Sequence, residues 1–117
     1  MNNKPSELRQ CVDYLKDIKN QIEFITSSIK ELENMKIEIQ NSNDLDEITM
    51  FLSRIKDLIL ITSKNLDMSR YQNTYDIEKS KQICLDLLKY LIETLKDKEN
   101  ELMVIMFDNL SLSFKKL

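Results

Sequence analysis

From Leu8 to Ile39 apolar residues recur at alternating intervals of three and four, the signature of a helix that buries one long stripe. In heptad terms Leu8, Leu15, Ile22, Ile29 and Lys36 take the a positions and Cys11, Ile18, Ile25, Leu32 and Ile39 the d positions, so nine of ten seam positions are apolar. The stripe predicts a helix over residues 5–40, a rod of roughly 54 Å, with Pro5 harmless in a first turn where its missing N–H costs nothing. Isoleucine at both a and d favours three or four helices around the seam over a simple parallel pair.

Asn41-Ser42-Asn43 ends this pattern, and Asp44 with Glu47 three residues on has the spacing of a capping box for a second helix over residues 45–70. A connection that short makes the first two helices antiparallel. The second stripe, Leu45, Ile48, Leu52, Ile55, Ile59 and Leu66, is widened by Phe51, Leu58 and Ile61, enough for more than one neighbour. Polar residues from Arg70 to Thr74 interrupt it, with Asn73 or Thr74 as the next cap and Tyr71 and Tyr75 as packing lids. A third helix over residues 75–114 carries Ile77, Cys84, Leu88, Leu91, Leu95, Leu102 and Ile105, with Lys81 and Lys98 intruding; a bend or break near 96–101 would release a short fourth helix.

These elements predict an all-α fold, one elongated antiparallel helical bundle with coiled-coil-like packing over residues 1–117. In an up-down-up arrangement Asn100 comes level with Gln40, and everything after it overhangs the bundle. The overhang contains the most hydrophobic stretch of the chain, Leu102-Met103-Val104-Ile105-Met106-Phe107. It must fold back, pair with another copy or dock on a different protein. The partner-binding surface is therefore expected at Leu102, Met103, Met106, Phe107, Leu110 and Phe114, since a large exposed apolar patch marks an interaction site.

Composition narrows the chemistry. With no glycine, phosphate-cradling loops of the P-loop or dinucleotide type are absent. With no histidine there is no His general base, no HExxH zinc site and no Ser-His-Asp or Cys-His pair. Carboxylate pairs such as Asp44 with Asp46, Glu31 with Glu33 and Glu99 with Glu101 avoid the seams and read as solvated helix surface. Met35, Met50 and Met68 read as flanks of the core, and Cys11 and Cys84 as buried thiols of a reducing compartment rather than a disulfide. No alanine, 14 lysines against 3 arginines and abundant Asn and Ile reflect an AT-rich gene rather than a structural demand.

The net charge of −3, with lysines scattered among acids, disfavours nucleic acid, and no apolar run is long enough to span a bilayer. Two terminal lysines beside Phe114 are too few for a membrane-surface anchor. The expectation is a soluble cytoplasmic protein without cofactor, metal or catalytic residues. It would be a non-enzymatic interaction module, meaning an adaptor, an assembly subunit or a dedicated chaperone of a secretion-type system, that binds a partner helix through apolar faces or self-associates as a dimer. The alternative is an inhibitor or immunity-type protein that neutralises a toxin or host factor by occlusion.

Overall fold

The computed structural model describes residues 4–62, 66–71 and 74–116. The described residues form three α-helices, α1 Lys4–Asn41, α2 Leu45–Thr62 and α3 Ile77–Lys116, with a 3-10 turn at Met68–Arg70. No strand occurs among the described residues, as the helical periodicity predicts. The chain divides into two compact units, Lys30–Thr94 and the combination of Met1–Ile29 with Leu95–Leu117.

The Lys30–Thr94 unit is a three-helix core. Asp44 starts α2 by accepting the Asp46 N–H at 3.0 Å, and its own N–H goes to the Ser42 hydroxyl at 3.3 Å, the bond a full capping box would assign to Glu47. From α2, Ile48, Phe51, Leu52, Ile55 and Ile59 are buried. They pack in one unit with Leu32 and Ile39 of α1 and with Cys84, Leu87, Leu88, Leu91 and Ile92 of α3, all likewise buried. Removing a leucine or isoleucine of this kind from water contributes about 1.5–3 kcal/mol. The widened stripe of α2 is narrower than its sequence suggests, because Phe51 turns inward whereas Leu58 is exposed and Ile61 is 79% exposed.

The direction of α3 differs from the up-down-up register. Lys81 Nζ donates to the Gln40 carbonyl at 3.2 Å, and the Cys84 thiol to the Ile48 carbonyl at 3.7 Å. So α3 starts at the end of the unit where α1 hands over to α2, and Lys81, not Asn100, lies level with Gln40. Within this unit α3 runs alongside α2 and antiparallel to α1. Fourteen residues separate Thr62 from Ile77. At about 3.3 Å each they easily return along a helix of 18 residues, roughly 27 Å long. Where the sequence predicts α2 to continue to residue 70, the described residues instead form a 3-10 turn at Met68–Arg70.

Short polar contacts join the described residues of the connection. Asp67 accepts from both the backbone N–H and the hydroxyl of Ser69, and these two bonds lower its pKa from 3.8. Asp76, rather than Thr74, caps α3 by accepting from Glu78 and Lys79, while Thr74 accepts the Asp76 N–H; Asn73 lies outside the described residues. Ser80, buried in the first turn, is satisfied by donating to the Thr74 carbonyl at 3.1 Å. Tyr71 is half-buried, but Tyr75 is 97% exposed and is no lid.

Helix α3 continues through Lys96–Glu101 without interruption, so no separate fourth helix forms. Nothing in that stretch breaks a helix: it contains neither Gly nor Pro, and Lys98 pairs with Glu101 one turn on at 3.6 Å.

Candidate interaction surface

Among its described residues the second unit, Met1–Ile29 with Leu95–Leu117, contains two helical segments. Thr26 Oγ1 donates to Glu99 Oε2 at 2.6 Å, and Val12, Leu15, Lys16 and Lys19 share a hollow with Met106 and Leu110. Moving toward the N-terminus of α1 therefore means moving toward the C-terminus of α3, and the two segments are antiparallel. Taking Leu95, Leu102 and Asn109 as the a positions of α3 makes Glu99 and Met106 e positions and Met103 and Leu110 b positions. Thr26 is likewise an e position of α1. The Thr26–Glu99 bond thus joins the two e flanks, as an antiparallel pair requires.

Two helices cannot cover a stripe suited to three or four. Here Ile18, Ile22, Ile25, Ile29 and Leu102 are buried, but Leu8, Cys11, Leu15, Leu95 and Ile105 are only half-buried and Leu112 is exposed. In contrast, the most completely buried side chains among the described residues, Ile39, Ile48, Leu52, Ile55, Ile59, Leu87, Leu88, Leu91, Cys84 and Ser80, all belong to the three-helix unit.

The tail residues singled out from the sequence divide by orientation. Leu102 is 6% exposed in the seam against α1 and is not available to a partner. Met103, Met106 and Leu110 are half-buried along the e and b flank, and Phe107 beside them is 63% exposed. The Phe114 side chain lies outside the described residues. The tail does not overhang; it lies against the first half of α1.

On the α1 side, Val12 joins the same flank at an e position, and its half-exposed surface continues the apolar floor formed by Leu15, Met106 and Leu110 around a hollow of about 240 Å³. Two cations line it, Lys16 at a b position and Lys19 at e, and Arg9 takes the preceding b position of α1; all three are exposed. Lys19 also lies 3.8 Å from Glu23, an exposed pair that contributes little. Asp13 and Asp17 fall at f and c positions, on the back of the helix. A charge count averaged over the chain hides this row, but the heptad letters reveal it once the partner helix and its direction are known. A second hollow of about 370 Å³, lined by Asn20, Gln21, Phe24 and Ile25, lies on α1, where Phe24 is 74% exposed.

No comparable arrangement gathers metal-binding groups among the described residues. None of them forms a cluster of three or more His, Cys, Asp or Glu suited to a cation, and no helix is long and apolar enough to cross a membrane. Cys11 and Cys84 form no disulfide. Burial pushes the Cys84 thiol up to about 11 despite the opposing charge of Lys56, which leaves it protonated and a poor nucleophile at neutral pH. The carboxylates have structural or surface positions: Asp44 caps, Glu99 holds Thr26, and Asp46, Glu31 and Glu101 are exposed.

Searches of protein-family models, of curated proteins and of solved structures find no match to this chain.

Proposed function

We propose that the protein is a non-enzymatic protein–protein interaction module that receives a helix of its partner on the e and b flank of the two-helix unit. The observation that carries this reading is the apolar row Met103, Met106, Phe107 and Leu110, which leaves Phe107 63% exposed beside half-buried neighbours on a seam built for more helices than the unit contains. Contiguous apolar surface rimmed by polar groups is costly to leave in water and is the ordinary mark of an interface. Methionines suit such a face because their unbranched, polarisable side chains adapt to the shape of a partner. Adaptor, assembly subunit and dedicated chaperone are roles that use this physics, and each would operate without chemistry of its own.

The test is site-specific photo-crosslinking of the full chain in its native host, with a photoreactive residue at Met106 or, as a control, at Asp13 on the back of α1. A discrete adduct to another protein from position 106 alone supports the reading, and its loss in a chain also carrying Phe107→Ser ties it to the apolar row. The same background from both positions argues against it. Replacing Met106 and Phe107 by Ser should weaken the captured complex by roughly 2–4 kcal/mol, the range of a hot-spot pair, while helix content stays nearly unchanged.

A further inference from the structure

The flank has two unlike walls, and their difference specifies the occupant. One wall, from α3, is apolar for two turns: Met103, Met106, Phe107 and Leu110. The other, from α1, presents Lys16 and Lys19 with Val12 and Leu15 at its foot and Arg9 at the preceding b position; the first acid at a b or e position after Leu8 is Glu23, an exposed partner of Lys19 at 3.8 Å. Both walls and the floor belong to the same compact unit.

We propose that this groove binds an amphipathic helix whose apolar edge rests on Val12, Met103, Met106 and Leu110 and whose flank over α1 carries carboxylates facing Arg9, Lys16 and Lys19. The inference deepens the reading above and rests on it. A helix fits because the floor is a furrow between two antiparallel helices, the surface into which a third helix packs side chains in a bundle. The carboxylates follow from charge: a partner lacking them would set its surface against Arg9, Lys16 and Lys19, of which Lys19 has an exposed pair with Glu23, and a partner with lysines there would be repelled. A flat anionic bilayer would meet the same charges but could not reach the half-buried Leu15 at the foot of the furrow.

The experiment uses the full chain and two labelled helical peptides of equal length, which share one leucine face and carry Glu on the flanks in one case and Lys in the other. Fluorescence anisotropy should show the Glu peptide binding about tenfold more tightly than the Lys peptide, as expected for a few solvent-facing ion pairs, with a gap that narrows in high salt. Reversing the wall with Arg9→Glu, Lys16→Glu and Lys19→Glu should invert the preference. Because all three side chains are exposed, the circular dichroism of that variant should match the parent. Met106→Ser should weaken both peptides alike.

Equal binding of the two peptides, or an unchanged preference in the charge-reversed chain, overturns the acidic occupant while leaving the interaction-module reading intact. Binding of neither peptide overturns both. Sedimentation of the chain alone gives a further decision: a dimer that Met106→Ser dissociates would make the occupant a second copy and overturn the proposal. Retention on anionic phosphatidylglycerol vesicles, abolished by the charge reversal, would do the same in favour of a lipid surface.

Discussion

Thr26 donates its hydroxyl proton to Glu99 across 2.6 Å, joining an e position of α1 to an e position of α3. In that unit the bond sets the two segments antiparallel. In the up-down-up arrangement Glu99 would lie level with Ile39, about 20 Å along α1 from Thr26 at helical rise. The register is open to a direct test. With Cys11 and Cys84 replaced by Ser, a chain carrying Thr26→Cys and Glu99→Cys should be closed by a short bis-thiol crosslinker spanning roughly 8 Å, a reach far below that separation. Mass spectrometry of the monomer would reveal the bridge, and its absence would place the helices in another register.

Ile22 and Ile25 are 9% exposed each, at adjacent a and d positions of the two-helix seam. An aspartate at either site would put a carboxylate without a partner into an apolar contact, at a cost of several kcal/mol, comparable to the stability of a domain of this size. Ile22→Asp and Ile25→Asp should lose helix content or melt far below the parent by circular dichroism. Variants that melt within a few degrees of it would show that the seam lies elsewhere.

Asp76 accepts from Glu78 and Lys79 at the start of α3, satisfying two N–H groups that have no partner within the helix. Asp76→Ala should lower stability by about 1 kcal/mol in urea unfolding, and Asp76→Asn, an equally good cap, should restore most of it. The slope of the transition should not change, since no surface is newly exposed.

The Cys84 thiol keeps its proton up to about 11 in the folded protein, against 9.0 unperturbed, because burial disfavours the thiolate. A raised folded-state value means that this contribution to stability is complete below pH 9 and declines as pH rises through about 11. Denaturation midpoints should therefore fall across that window in the parent and fall less in Cys84→Ala, once both are referred to neutral pH. At neutral pH a thiol reagent should modify the half-buried Cys11 first and reach Cys84 only as the chain unfolds.

What could be read from the sequence was local. Heptad spacing identified the seam of α1, the polar Asn41–Asn43 turn marked its end, and Asp44 announced α2, because apolar period and capping chemistry act over a few residues. Charge intruding on a stripe was harder to read. Lys81 sits at a seam position where a charge looks misplaced, yet it reaches the Gln40 carbonyl in the last turn of α1, where a cation is favoured. Connection geometry was harder still, since no Gly or Pro announces that α2 gives way to a 3-10 turn at Met68–Arg70.

The sequence by itself determined that the chain is helical, which residues form the stripes and that the tail is too apolar to be a mere solvated end. Only the tertiary structure decided the direction of α3, and with it the assignment of Leu102 to a seam, of Met103, Met106 and Leu110 to a flank, and of Lys16 and Lys19 to the opposite wall. The physical reason is that an apolar stripe carries no arrow. A heptad pattern packs equally well against parallel and antiparallel neighbours, and the choice falls to contacts distant in sequence, here Gln40 with Lys81 and Thr26 with Glu99.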